Sequence, residues 1–213
     1  MKRTIAAAII GLAALGGASE AHASTVAVNA PCYLMGGPIS ASGTGFTPGG
    51  AVNFAFDGQL SSSGTADPAG NITAPLTAPL LPSGTHQHAF SLAAQDQTNP
   101  ALAATTTVNV TDRIATVSPH RAKPSRKVKF GVYALNPNQP VWLHYVFHRK
   151  QRARVMLGTA HGPCGSLHAR KRFIPMRHPS VGTWTFQFDN SKRYSKSTQP
   201  QIRGPVTIFR TFK

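Results

Sequence analysis

A strict two-residue alternation of apolar side chains constrains this chain more than any other feature. Trp184, Phe186 and Phe188 alternate with Thr183, Thr185 and Gln187. Val128, Phe130 and Val132 alternate with Lys127, Lys129 and Gly131. Val141, Leu143, Tyr145 and Phe147 alternate with Trp142, His144, Val146 and His148. Successive strand side chains point to opposite faces, so each set predicts a strand with one apolar and one mostly polar face. Val206 and Ile208 continue a last strand toward Arg210, with Phe209 on its other face. Outside the N-terminal segment, no long stretch carries the 3.6-residue period of a helix.

The first half reads the same way. Stretches at 25–29, 38–44, 51–56, 71–76, 86–93 and 103–111 are rich in strand formers. Thr47-Pro48-Gly49-Gly50, Asp57-Gly58, Asp67-Pro68-Ala69-Gly70-Asn71 and Pro82-Ser83-Gly84 separate them. Pro-Gly and Asp-Gly pairs supply the fixed or positive φ angles of tight turns. The two halves also align weakly: Gly45–Val52 with Ala134–Val141 at an offset of 89, Gly70-Asn71-Ile72 with Gly165-Ser166-Leu167 at 95, and Gly84-Thr85-His86 with Gly182-Thr183-Trp184 at 98. A slowly growing offset is what short loop insertions produce in two copies of one strand plan.

The chain begins as an exported protein does. Lys2 and Arg3 precede an apolar run from Ile5 to Leu15, and Ala21-His22-Ala23 follows. This is the three-part pattern of a secretory signal peptide over residues 1–23, with cleavage expected before Ser24. The run is too short for a comfortable membrane span, and no other segment is apolar enough for one.

Charge divides what remains. The formal net charge is +16. Residues 24–112 contain no Lys or Arg, whereas residues 113–213 carry 20 Lys and Arg against one acid, Asp189. The switch at Thr111-Asp112-Arg113 places a domain boundary there, giving an acidic-to-neutral unit at 24–112 and a strongly basic one at 113–213.

These motifs carry a resemblance. "SGTGFTPGGAVNFAFDG", "TADPAGNITAPL" and "SGTHQHAFSLAAQD" resemble bacterial secreted immunoglobulin-like domains. "GPCGSLHARKRFIP" with "GTWTFQFDNSKRYSKSTQP" is similar to the basic C-terminal halves of actinobacterial-type exported proteins that pair two such domains. The resemblance implies an all-β chain of two tandem immunoglobulin-like β-sandwich domains in an extracytoplasmic setting. It implies a fold and a habitat, not a reaction.

The residues invite several chemistries. Cys32 and Cys164 are the only cysteines, an even count in an exported chain. An interdomain disulfide, two buried thiols and intermolecular pairing are the open readings. His161 near Cys164 invites a thiolate nucleophile, but no carboxylate stands close by in sequence to orient a base, and no catalytic residue is assigned. His86 and His88 share a strand face without the further ligands zinc requires. His86 is expected in the slot that Trp184 fills in the second copy. No metal or cofactor is expected, and the mature segment lacks paired acids placed for glycoside chemistry.

The basic surface is the best functional clue. Its candidate polyanion-binding residues are Arg126, Lys127, Lys129, Arg149, Lys150, Arg152, Arg154, Arg170, Lys171, Arg172, Lys192 and Arg193, with Arg149–Arg152 expected in a turn between two strands. One acid cannot neutralise them, so they should attract an anionic extracellular polymer: a wall polymer, an acidic polysaccharide or nucleic acid. Tyr194 and Trp142 are candidate stacking partners. The reading is an exported, non-enzymatic binding or structural protein. Its rivals are an envelope spacer with no specific partner and a small-ligand carrier.

Overall fold

Alternation is visible directly in strand β3 (Pro38–Thr44), which buries Ile39, Ala41 and Gly43 and exposes the residues between them. The computed structural model describes residues 23–209, and these are all-β. The signal-peptide reading and Arg210 fall outside the described residues, apart from Ala23.

Residues 25–111 form β1 (Thr25–Val28), β2 (Tyr33–Leu34), β3, β4 (Ala51–Phe56), β5 (Gln59–Thr65), β6 (Ile72–Thr77), β7 (Gln87–Asp96) and β8 (Ala103–Thr111). They make one sheet in the order β1-β3-β6 and another in the order β2-β8-β7-β4-β5. Residues 115–208 form β9 (Ala115–Ser118), β10 (Lys127–Val132), β11 (Pro140–Phe147), β12 (Lys150–Thr159), β13 (Leu167–Arg172), β14 (Gly182–Asp189) and β15 (Gln201–Ile208). Their sheets run β9-β10-β13 and β12-β11-β14-β15. Each pair of sheets closes on its own core, the first around Ile39, Phe54 and Leu92, the second around Phe130, Tyr145, Trp184 and Phe186. Burying such side chains contributes roughly 1.5–3 kcal/mol each, which is what holds the sheets face to face. The architecture is a β-sandwich built twice.

The ladders show how close the two copies are. Pro38↔Thr77 and Gly43↔Ile72 in β3–β6 recur as Lys127↔Arg172 and Val132↔Leu167 in β10–β13. Phe54↔Ala94 and Phe56↔Leu92 in β4–β7 recur as Leu143↔Phe188 and Tyr145↔Phe186 in β11–β14. Even the hairpins correspond. Asp57-Gly58 and His148-Arg149 both have two successive positive φ angles, and each hairpin carries a register shift just before its turn. This geometry gives a two-residue loop the twist of its flanking strands.

Three expectations are corrected. By register Trp184 takes the place of Phe90, not of His86, because β7 is longer than its sequence pattern indicated and ends at Asp96. Arg149 alone of the expected turn cations lies in the turn, since Lys150 and Arg152 belong to β12. The second face of β11 and β14 is not a solvated one. His144, Val146 and Gln187 are buried there, beneath a covering loop.

Candidate functional site

The face of the β9-β10-β13 sheet turned away from the core is cationic. On β10, Val128 and Phe130 enter the core, so Lys127 and Lys129 point outward. Antiparallel pairing puts Arg172 directly opposite Lys127 and Arg170 directly opposite Lys129. Side chains so placed have Cβ atoms about 4.5–5.5 Å apart, and like charges there repel. All four are exposed, and among the described residues no Lys or Arg forms a salt bridge. Arg126 lies exposed just before the ladder, its backbone carbonyl accepting the Phe173 N–H at 2.8 Å.

The fold does not require these charges. In the first sandwich the same ladder positions hold Pro38 opposite Thr77 and Ser40 opposite Pro75. The same backbone therefore stands with neutral residues at every one of the four positions. Lys171 does not join the ladder: it pairs with core-facing Val128, on the other face of β13.

His168 extends the surface one rung further, opposite Gly131. Its Nε2 lies 3.3 Å from the Tyr133 hydroxyl. The Tyr133 ring in turn packs at a tilt against His86, centroids 5.1 Å apart, and His86 Nδ1 is 2.9 Å from Asp112 Oδ2. Burial, then the Asp112 charge, raise the Tyr133 pKa, which keeps its hydroxyl a donor. His86 is thus spent on the junction between the two sandwiches. Among the described residues, no group of three or more His, Cys, Asp or Glu is arranged to hold a metal ion.

The remaining candidate cations lie elsewhere. Arg149, Lys150, Arg152 and Arg154 follow the β11–β12 hairpin, and Lys192 and Arg193 sit on the loop after β14. These belong to the other sheet of the sandwich, so the candidate residues, Lys171 apart, form two separate surfaces. Arg154 lies over the Trp142 ring, 5.9 Å from its centroid, and donates to the Lys192 carbonyl at 3.3 Å. Trp142 therefore already has its cationic partner.

Beneath that second surface lies a buried polar cluster. His144 and Asp189 are both fully buried. His144 Nε2 faces two acceptors, Asp189 Oδ1 at 3.3 Å and the Ser191 carbonyl at 3.0 Å, so it carries the proton and leaves Nδ1 without a partner. Asp189 also accepts from the Gln187 side chain at 2.6 Å and the Ser191 N–H at 2.9 Å. Gln187 donates onward to the Ser195 carbonyl, and Arg203 donates to Gln187 at 2.8 Å. The only acid of the basic half is thus occupied in holding down the 190–200 loop and neutralises nothing on the ladder. Its pairing with His144 could be found only from the β11–β14 register.

Cys32 and Cys164 form a disulfide, with Cα atoms 5.2 Å apart. It joins the segment before β2 to the turn between β12 and β13. Both sulfurs are bonded, so neither is a free thiolate in this state.

No protein-family model matches the chain, and no curated protein matches it. Among solved structures it is similar to a tetra-tandem repeat in the extending region of a large adhesion protein, at 15% identity over 86% of this chain and 49% of that one, with a TM-score of 0.27. It is also similar to fibronectin(III)-like modules of Clostridium thermocellum CbhA, at 14% identity over 86% and 93%, TM-score 0.30. A third likeness is to red sea bream transglutaminase, at 10% identity over 88% and 31%, TM-score 0.30. The chain spans about half the length of the adhesion-protein structure.

Proposed function

We propose that this is an extracytoplasmic, non-enzymatic binding protein whose basic half, residues 113–213, associates with an anionic extracellular polymer. The observation that carries the reading is the ladder of Lys127 opposite Arg172 and Lys129 opposite Arg170. Four exposed cations repel one another across a strand pair and, among the described residues, have no carboxylate to relieve them. A polymer with regularly spaced negative charges relieves that repulsion and gains the entropy of counterion release. The neutral residues at the same positions of the first sandwich support a role for the charges beyond the fold itself. The 24–112 unit acts as the spacer that presents this surface. The disulfide supports an oxidising, extracytoplasmic setting.

Retention on immobilised heparin or wall teichoic acid tests the reading. The protein should be held at moderate salt and released steeply as salt rises. A Lys127→Ser/Lys129→Ser/Arg170→Ser/Arg172→Ser variant should elute much earlier. Elution of the unaltered protein at low salt would sink the proposal.

A further inference from the structure

The second sandwich is open along one edge. Between β9 and β15 lies a cleft of about 2220 Å³ that runs along the facing edges of the two sheets. Its apolar lining is the half-buried Ile114, Val117, Ile202 and Val206. Phe186 and Phe188 are buried beneath it, so the cleft stops at the rim of the core. The equivalent edge of the first sandwich is capped, because β2 pairs with β8 and seats Tyr33 in the core. Among the described residues no strand pairs with the outer edge of β15. Pro205 on that strand lacks the N–H that an added strand would need, which disfavours a peptide as the occupant.

Gly204 marks where the space is. It pairs with Phe186, so its α-carbon faces the cleft, and a Cβ built there meets nothing within 4 Å. From Ile202 to Ile208 the strand spans roughly 20 Å. That exceeds the ~15 Å taken by one leaflet's acyl chains in a ~30 Å bilayer core. Arg121, Lys123, Arg126 and Arg177 line the same cleft and are exposed, and among the described residues no carboxylate lines it. Hydrogen bonds from Phe173 to the Arg126 carbonyl and from Ile174 to the Pro124 carbonyl fix these cations beside the apolar lining.

We propose that this cleft binds a single-chain anionic amphiphile, a long-chain carboxylate. Its chain lies along Ile202 and Val206 past Gly204, and its carboxylate sits among Arg121, Lys123, Arg126 and Arg177. The apolar lining accounts for a chain and the uncompensated cations for an acid head. Neither feature is used by the polymer ladder, which lies on the outer face of the β9-β10-β13 sheet.

Fluorescence titration of the oxidised full chain with dansyl-undecanoic acid tests this, with dansyl-glycine as the short-chain control. The long-chain probe should bind saturably and the control should not. Gly204→Leu places a side chain in the cleft, where its Cβ meets nothing within 4 Å, and should weaken probe binding about tenfold or more, because several methylenes lose their apolar contact. Heparin retention and melting temperature should stay unchanged. Arg121→Ser/Arg177→Ser, which leaves the core untouched, should also weaken the long-chain probe. Equal binding of the two probes, or Gly204→Leu binding as the unaltered protein does, overturns the proposal. So does a dimer that Gly204→Leu converts to a monomer, since the cleft would then belong to a second copy of the chain.

Discussion

Gly70 and Gly165 occupy the same point of the two successive sandwiches. The Gly70 carbonyl accepts the Phe46 N–H at 3.1 Å, and the Gly165 carbonyl accepts the Leu135 N–H at 3.2 Å. Both glycines have positive φ, 77° and 61°. A Cβ on either would run into the backbone of Phe46 or Leu135. Gly165→Ala should therefore cost roughly 2–5 kcal/mol, combining left-handed strain with a collision against backbone. Gly49, at φ 70°, faces open space, and Gly49→Ala should cost only about 1 kcal/mol. Urea denaturation of both variants compares the losses, and equal losses would refute the close approach.

The disulfide closes a sequence separation of 132 residues. Cross-links over long loops stabilise mainly by restricting the unfolded chain, so a Cys32→Ser/Cys164→Ser variant should lose about 2–5 kcal/mol. Non-reducing peptide mapping should recover one linked peptide containing both cysteines. Two separate alkylated peptides would contradict the bond.

Asp96 ends β7 and caps two turns. Burial works against its charge, but hydrogen bonds donated by the Thr47, Asn99 and Thr98 N–H groups outweigh it and hold the carboxyl at about 2. Its pKa is lowered on folding, so its stabilisation is complete above about pH 4 and is lost as pH falls toward 2. Asp96→Ala should cost roughly 1–3 kcal/mol at pH 7. The gap between the variant and the unaltered protein should narrow in melts run from pH 4 down to pH 2. A gap independent of pH would remove the charge from the explanation.

Asp189 should matter for the loop more than for the ladder. Asp189→Ala takes the acceptor from the Ser191 N–H and one of two acceptors from both Gln187 and His144, at a cost of roughly 2–4 kcal/mol. Hydrogen exchange should rise first in residues 190–200. Protection unchanged in that loop would show that the cluster does not hold it.

The strands with apolar alternation were legible because period two records one buried face. The bounds of β3, β4 and β8 match the expected segments. β5 (Gln59–Thr65) and β12 (Lys150–Thr159) were not legible, because edge strands rich in Ser or Arg bury too little to leave a pattern. His144 and Gln187 read as solvent-facing, since nothing local says that a loop after β14 will cover them. The ladder's residues were all visible as a basic surface. Their division was not: Lys171 and Arg172 are neighbours in sequence, and only the β10–β13 register puts one opposite a core valine and the other opposite Lys127.

The central claim is that Lys127, Lys129, Arg170 and Arg172 act together on a polyanion. The most direct measurement is the salt dependence of binding to a short DNA duplex, used as a polymer of defined charge. Each phosphate contact contributes about 0.9 to the slope of log K against log salt. Replacing all four residues by Ser should flatten that slope by about 3–4, while Arg149→Ser/Lys150→Ser/Arg152→Ser/Arg154→Ser on the other sheet should change it much less. Equal flattening by the two sets would mean a diffuse basic surface and would contradict the ladder as the site.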